Sequence, residues 1–204
     1  MTRRRLGPAE RREQLLGAAL ELAAGRDLTS LSVQEIATHA GVSEGLLYHY
    51  FPNKDALLLA AVQRAADAMT DALEGAVHGE PLAALLAGLG AYLDHVQADP
   101  NGWRALLQAR SGALADVATA VEQRSRRLVL GSLGVPTPSP ALRMVLEGWS
   151  ALERQVCLDW LASPEVTRAA VEDLLLSNFL GLLQAAARHD DQVRDVLDRL
   201  TPGG

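Results

Sequence analysis

Apolar residues recur along most of this chain at the three- and four-residue spacing of a helix surface. Near the start, Pro8 suits a first helical position, and the leucines and alanines that follow form one apolar face ending near Gly25. No stretch shows the alternation of apolar and polar residues that is typical of a β-strand. The pattern therefore predicts an all-α fold.

Two short helices joined by a tight turn are predicted between residues 32 and 50. Ser32 and Glu35 have the spacing of a capping box, which predicts a helix that begins directly after Ser32. Gly41 can adopt the left-handed conformation that ends this helix, and Ser43 can cap the next one. The apolar residues spaced to share one core are Ile36, Val42 and Leu47. This arrangement is a helix-turn-helix, and it predicts a DNA duplex as the ligand.

The second helix of the pair carries polar and aromatic residues on its predicted outer face. These residues are Glu44, Gly45, Leu46, Tyr48 and His49. In a helix-turn-helix, exposed residues of this helix contact base edges in the major groove. Pro52 then ends the helix, and Asn53 is placed to cap a longer helix that begins at Lys54.

The run Gly-Val-Ser-Glu-Gly-Leu-Leu-Tyr-His-Tyr-Phe-Pro-Asn-Lys-Asp-Ala-Leu, residues 41–57, resembles the signature of TetR-family transcriptional regulators. The resemblance extends over about the first 55 residues, because 11–22 resembles the family's first helix and 29–37 its second. It implies that five residues contact phosphates: Ser32, Ser43, Tyr48, Tyr50 and Lys54. It implies that four residues face bases or the groove wall: Glu44, Gly45, Leu46 and His49.

Two features of this motif admit other interpretations. The family often has a neutral or basic residue at the position of Glu44, and phosphates repel a carboxylate unless it accepts a hydrogen bond from a cytosine amine. The aromatic residues 48–51 could instead form a core cluster, and Phe51 is predicted to be core.

Proline and glycine divide the rest of the chain into further helices. We predict a DNA-binding domain over 1–55 and a helical ligand-binding and dimerisation domain over 56–204. The predicted helices after the motif cover about 53–78, 81–98, 100–111 and 113–132, with a loop at 131–140, helices starting at Pro140 and Pro164 after the caps Ser139 and Ser163, and a tail helix over 192–200. The helix that begins near Asn53 would link the two domains mechanically.

Charge and cysteine content narrow the class of protein. Residues 1–55 hold seven Lys/Arg and seven Asp/Glu, so the net charge of −6 belongs to the second domain and a general polyanion binder is excluded. Residues 3–5 are all arginine and could be a minor-groove arm or a solubilising tail. Cys157 is the single cysteine, which excludes a disulfide framework within one chain. The apolar runs look too short or interrupted to span a bilayer, so we expect no membrane association and a cytoplasmic location.

The segment 165–188 is apolar nearly all round, which predicts burial on two sides, and the long helix before it carries a wide apolar stripe. One side would face the protein core and the other a second copy; a central helix of a monomeric bundle is the alternative. Family members dimerise through these helices, so the resemblance favours a homodimer. The predicted interface residues are Leu142, Val145, Leu152, Val156, Leu175, Phe179 and Leu182.

The second domain has no catalytic or metal-binding spacing, so we predict no enzyme activity, no metal and no cofactor. Three aromatic residues among many Ala and Leu side chains predict an apolar pocket, with three polar candidates beside it. These candidates are Tyr92, Trp103 and Trp149, with Gln108, Arg110 and Glu147. As alternatives, each aromatic could belong to the core and each charge to the surface.

The combined hypothesis is a homodimeric repressor that binds a pseudo-palindromic operator and leaves it when a small apolar or amphipathic effector binds. A DNA-binding regulator controlled by a protein partner or by abundance is the first alternative. A helical adaptor without DNA binding is the second.

Overall fold

The computed structural model describes residues 6–24, 26–109, 111–163 and 165–201. These ranges contain no β-strand, which confirms the all-α prediction. A short 3₁₀ helix, Leu28–Ser30, lies between the first two α-helices. The α-helices in chain order are α1 (Pro8–Leu22), α2 (Val33–His39), α3 (Glu44–Tyr50), α4 (Lys54–Ala76), α5 (Pro81–Ala98), α6 (Pro100–Gln108), α7 (Gly112–Ser132), α8 (Pro140–Ala162), α9 (Arg168–Ala186) and α10 (Asp191–Leu200).

The chain forms two compact units. The first contains the described residues up to Met69 together with Asp99–Glu122, and the second contains Thr70–Ala98 and the residues from Gln123 onward. This division differs from the predicted boundary after residue 55, because α6 packs against α1 and most of α4 stays in the first unit.

The core of the first unit is built from the apolar faces of α1 to α4. Its fully buried side chains include Leu15, Leu16, Ile36, Leu47 and Leu57. Phe51 is also buried, as predicted, and the Arg12 guanidinium lies 5.2 Å from its ring centroid. Burial of this set fixes α3 against α1 and α2, since each large side chain removes apolar surface from water.

The start of α6 is held close to α4 inside the first unit. Asp99 accepts a 2.9 Å hydrogen bond from the Gly102 amide, and a Cβ at Gly102 would lie only 3.1 Å from Ala65 Cβ. Arg64 on α4 reaches Glu13 at 3.8 Å and Asp99 at 3.6 Å. A side chain at 102 would clash with the carboxylate of the Asp99 cap and also crowd Ala65, so glycine suits the close approach of the two helices.

In the second unit, α8 packs along α9. The Trp149 indole N–H donates to the Leu175 carbonyl oxygen at 3.0 Å, and the Trp149 ring lies 5.1 Å from the ring centroid of Phe179. At the other end of α8, the Trp160 indole N–H donates to the Val166 carbonyl at 2.9 Å. Both buried indoles therefore have backbone partners, as buried polar groups require.

The predicted start of one helix and the predicted start of one loop are wrong. Ser163 ends α8 rather than capping the next helix, and α9 begins at Arg168, where the Thr167 hydroxyl accepts from the Ala170 amide at 3.3 Å. Pro164 lies outside the described residues. The predicted loop over 131–140 is also shorter, because α7 continues to Ser132. The Ser139 cap of α8 is confirmed by a 3.1 Å hydrogen bond from the Leu142 amide.

The tail helix α10 packs on the second unit through Val193, Val196 and Leu200, which are buried. The Gln192 side chain bonds the loop before α8, accepting from the Ser139 amide at 2.6 Å and donating to the Thr137 carbonyl at 3.1 Å. The tail therefore supplies hydrogen-bond partners for backbone groups of a loop that has no regular backbone hydrogen bonding.

Candidate DNA-binding surface

The helix-turn-helix has the local geometry that its sequence predicts. The Ser32 hydroxyl accepts from the Glu35 amide at 3.1 Å, and Glu35 in turn accepts from the Ser32 amide at 2.8 Å. Gly41 has a φ of 66°, and the Ser43 hydroxyl accepts from the Leu46 amide at 3.2 Å. Both helices therefore begin with a side-chain cap, and the turn between them uses the left-handed region that favours glycine.

Four residues on one face of α3 are exposed. Glu44, Gly45, Tyr48 and His49 lie at the surface, with 49% of Tyr48 accessible. Leu46 and Tyr50 are half-buried, and Leu47 is fully buried. Leu47 anchors the helix, so this exposed face has a fixed orientation on the first unit.

Two of the five residues predicted to contact phosphates already donate a hydrogen bond within the protein. The Ser32 hydroxyl donates to a Glu35 carboxylate oxygen at 2.8 Å, and the Lys54 ammonium donates to the Thr29 carbonyl at 2.8 Å. Hydrogen bonds from Ser32 lower the pKa of Glu35 to about 2, so a negative charge lies at the start of α2. Of the predicted contacts, Tyr48 and Ser43 have the geometry best suited to meet a phosphate, because the Ser43 hydroxyl hydrogen is not used by its cap.

The predicted pocket residues are divided between the two units. Trp103 and Gln108 belong to the first, whereas Tyr92, Glu147 and Trp149 belong to the second. Arg110 lies outside the described residues. Trp103 is buried, and the buried Gln108 Oε1 has no hydrogen-bond donor among the described residues.

Two of these residues have ordinary structural roles. Trp149 is a core residue of the α8–α9 contact, and Glu147 is exposed and ion-paired with Arg126 at 3.7 Å. A cleft of about 390 Å³ in the second unit contains none of the predicted residues. It is lined by Gln97, Trp160, Leu161, Val166, Thr167 and Arg168.

Sequence reasoning missed a polar group inside the second unit. Burial raises the pKa of the Glu153 carboxyl to about 8, and burial together with Glu153 raises the pKa of the Cys157 thiol to about 12. Tyr92 is hydrogen-bonded to Cys157, which links α5 to α8. The available signal is the four-residue spacing of Trp149, Glu153 and Cys157, which places the glutamate on the apolar side of α8.

The predicted interface residues differ in how far they are exposed on the protomer. Leu142, Val145, Leu175 and Phe179 are buried within the protomer, so they leave little area for a partner. Leu152 and Val156 are half-buried, and Leu182 is 38% exposed. Exposed residues, most of them apolar or small, follow one line on each helix. We call these residues the outer stripe: Met144, Gly148, Ala151, Gln155 and Leu158 on α8, with Leu174, Asn178, Gly181, Leu182 and Ala185 on α9.

By length and mean hydropathy, α9 could cross a membrane. A helix with one side in a core and the other covered by a partner has the same composition. The finding therefore does not by itself indicate a membrane span. Across the described ranges, no three His, Cys, Asp or Glu side chains are grouped so that they could hold a metal ion.

Comparisons with known proteins agree with this architecture. Residues 15–61 match the family model "Bacterial regulatory proteins, tetR family", and residues 81–182 match "Tetracyclin repressor-like, C-terminal domain". A TetR-family transcriptional regulator of Streptomyces coelicolor shares 34% identity and a TM-score of 0.80, with 96% of this chain and 90% of that chain covered.

Two curated relatives match over shorter regions. The transcriptional activator FasR of Mycolicibacterium smegmatis is 35% identical over 106 residues, which is 51% of this chain and 48% of the relative. The transcriptional regulator BetI of Escherichia coli is 32% identical over 101 residues, or 48% of this chain and 52% of the relative. The match thus spans about half the length of each curated relative. From its two family-model matches and its near full-length similarity to the Streptomyces protein, this chain belongs to the TetR family of DNA-binding transcriptional regulators.

Proposed function

We propose that the protein is a homodimeric repressor whose two α3 helices enter successive major grooves of a pseudo-palindromic operator. The observation that carries this proposal is the exposed α3 face of Glu44, Gly45, Tyr48 and His49, held in place by the buried Leu47. Two such helices must lie about 34–36 Å apart, or at a suitable multiple, to reach successive turns of the duplex. A cytoplasmic location follows from this role, because bacterial operators are cytoplasmic.

The outer stripe supports a second copy of the chain as the dimer partner. Leu174 is 46% exposed and Met144 is 70% exposed, which is unusual for large apolar side chains on a protomer that works alone. Among the residues that the structure describes, a Cβ at Gly148 or Gly181 would meet nothing within 4 Å. Glycine at these helical positions allows close approach of a second helix, and both positions lie on the stripe.

A small apolar or amphipathic effector would control operator binding through α4. The helix α4 runs without interruption from Lys54 in the first unit to Ala76 in the second, so a change in its direction would move the DNA-binding helices. The effector must bind the released state more tightly for its binding energy to shift that equilibrium. The buried Gln108 Oε1, which has no donor among the described residues, would offer a hydrogen-bond acceptor to such a molecule.

The salt dependence of DNA affinity and the affinity of a Tyr48→Phe variant test the DNA-binding role. We expect binding to a fragment selected from the source genome to weaken linearly with the logarithm of salt concentration, because phosphate contacts release counterions. Tyr48→Phe removes one hydrogen-bond donor to phosphate and should weaken binding to every DNA sequence about equally, by several-fold. Lys54→Met should weaken binding less, since Lys54 already bonds Thr29. No selected fragment and no salt dependence would refute the DNA-binding role and favour the adaptor.

Effector control is tested by a screen of apolar and amphipathic compounds. A compound that binds the folded protein should raise its thermal midpoint by mass action and release the operator at the same concentration. Gln108→Leu should lose part of that response while it keeps operator affinity, because it removes the acceptor without changing α3. If no compound both shifts the midpoint and releases DNA, effector control fails and a partner-controlled regulator replaces it.

A further inference from the structure

No contact within the described part of the chain requires a glycine at position 45. Gly45 is the second residue of α3, and it is absent from the glycines that have positive φ angles. A Cβ built on Gly45 would meet no atom of the described residues within 4 Å. Alanine would therefore fit, and it would stabilise a seven-residue helix better than glycine does.

The missing side chain leaves a notch in the exposed face of α3. Tyr48 and His49 lie three and four residues after Gly45, so they stand beside it on the same side of the helix. Glu44 precedes it and is exposed. His49 is oriented by an edge contact with Tyr50, at 5.4 Å between ring centroids. The notch therefore has an acidic side chain on one side and two ring-bearing side chains on the other.

Glu44 needs a hydrogen-bond donor on any DNA that it approaches. A carboxylate only accepts hydrogen bonds, and phosphates repel it, so a duplex can satisfy it only through an exocyclic amine in the major groove. Cytosine N4 is the amine that glutamate characteristically pairs with. A short carboxylate-bearing side chain near the start of α3 reaches that amine only if the helix backbone lies close to the base edges.

We propose that Gly45 determines specificity: its notch lets α3 approach the base edges closely enough for Glu44 to accept a hydrogen bond from cytosine N4. This inference rests on the proposed DNA-binding role and adds to it one base preference in each half-site. Any side chain at position 45 would hold the helix away from the bases while leaving the phosphate contacts of Tyr48 and Ser43 within reach.

The test measures affinity for a fragment selected by the wild-type protein and for unrelated DNA of the same length. Gly45→Ala should bind the selected fragment at least about tenfold more weakly than the wild-type protein does, and its affinity for the unrelated DNA should be unchanged. Its thermal midpoint should be equal or higher. Glu44→Gln should lose the preference for cytosine at one position of each half-site. Glu44→Gln should change little further in the Gly45→Ala background, because the two residues act together.

Gly17→Ala is the matched control. Gly17 is a half-buried helical glycine on α1 whose added Cβ would also meet nothing within 4 Å, so this variant makes the same chemical change away from α3. It should leave both affinities unchanged. Wild-type affinity of Gly45→Ala for the selected fragment would overturn the proposal, and so would an equal loss on both DNAs. If the wild-type protein selects no fragment, DNA binding itself has failed, which is a separate result.

Discussion

Leu182→Asp is expected to give a folded monomer whose operator affinity is at least about 100-fold below that of the wild-type protein. Leu182 is exposed on the outer stripe, so an aspartate there stays hydrated in a single protomer. In a dimer the same carboxylate would be buried against apolar side chains without a partner, which strongly disfavours association. A monomer contacts only one half-site, so it loses the affinity that two linked DNA-binding domains gain, which is roughly 10²–10⁴-fold. Sedimentation measures the oligomeric state, circular dichroism measures the helical content, and fluorescence anisotropy measures the operator affinity.

Two variants on α9 separate dissociation from unfolding. Gln184→Asp places the same carboxylate at an exposed position outside the stripe and should remain dimeric. Leu175→Asp places it in the protomer core and should unfold the chain, because Leu175 is fully buried. A Leu182→Asp protein that stays dimeric would show that the interface lies elsewhere. A wild-type protein that is a folded monomer at micromolar concentration would refute the dimer.

The helix-turn-helix was predictable because its determinants are local. The Ser32–Glu35 capping box, the Ser43 cap and the Gly41 turn each depend on residues within four positions of one another, and all three are present. Such contacts form with little help from the rest of the fold. The same local reasoning placed the start of α8 at Pro140.

The exposed side of α8 and α9 could not be predicted from the sequence, because spacing alone does not determine which apolar side of a helix faces the core. Leu174 and Leu175 are both apolar and adjacent, yet Leu175 is fully buried and Leu174 is 46% exposed. The packing of α8 on α9 decides between them, and that packing depends on contacts distant in sequence, such as the Trp149–Leu175 hydrogen bond. The start of α9 was misplaced for a different reason: Ser163 and Thr167 are both good caps, and the helix uses the second.

The composition of the first unit also depends on long-range contacts. No motif in the sequence indicates that α6 packs with α1, and the close contact of Gly102 with Ala65 joins residues far apart in the chain. Polar groups inside the helical units are similarly hard to predict. Glu153 shares its four-residue spacing with Trp149 and Cys157, but a carboxylate at such a position is more often on a solvated face than inside a helical unit.

Glu153→Gln is expected to stabilise the folded protein at neutral pH, by up to about 3 kcal/mol. Burial raises the pKa of Glu153 from 4.5 to about 8, so the folded state keeps a proton that the unfolded chain releases. The wild-type protein therefore loses stability progressively as the pH rises from about 4.5 to about 8. Glutamine is neutral at every pH, so the advantage of the variant should be absent near pH 4, grow through this window and level off above pH 8.

Unfolding by denaturant at a fixed protomer concentration measures this pH dependence while keeping any effect of dimerisation constant. Glu147→Gln is the control on the same helix, because Glu147 is exposed and pairs with Arg126 only at 3.7 Å. It should change stability by less than about 1 kcal/mol, as expected for a surface ion pair. A stabilisation by Glu153→Gln that is the same at pH 4 and pH 8 would show that packing, rather than a buried titrating carboxyl, separates the two proteins.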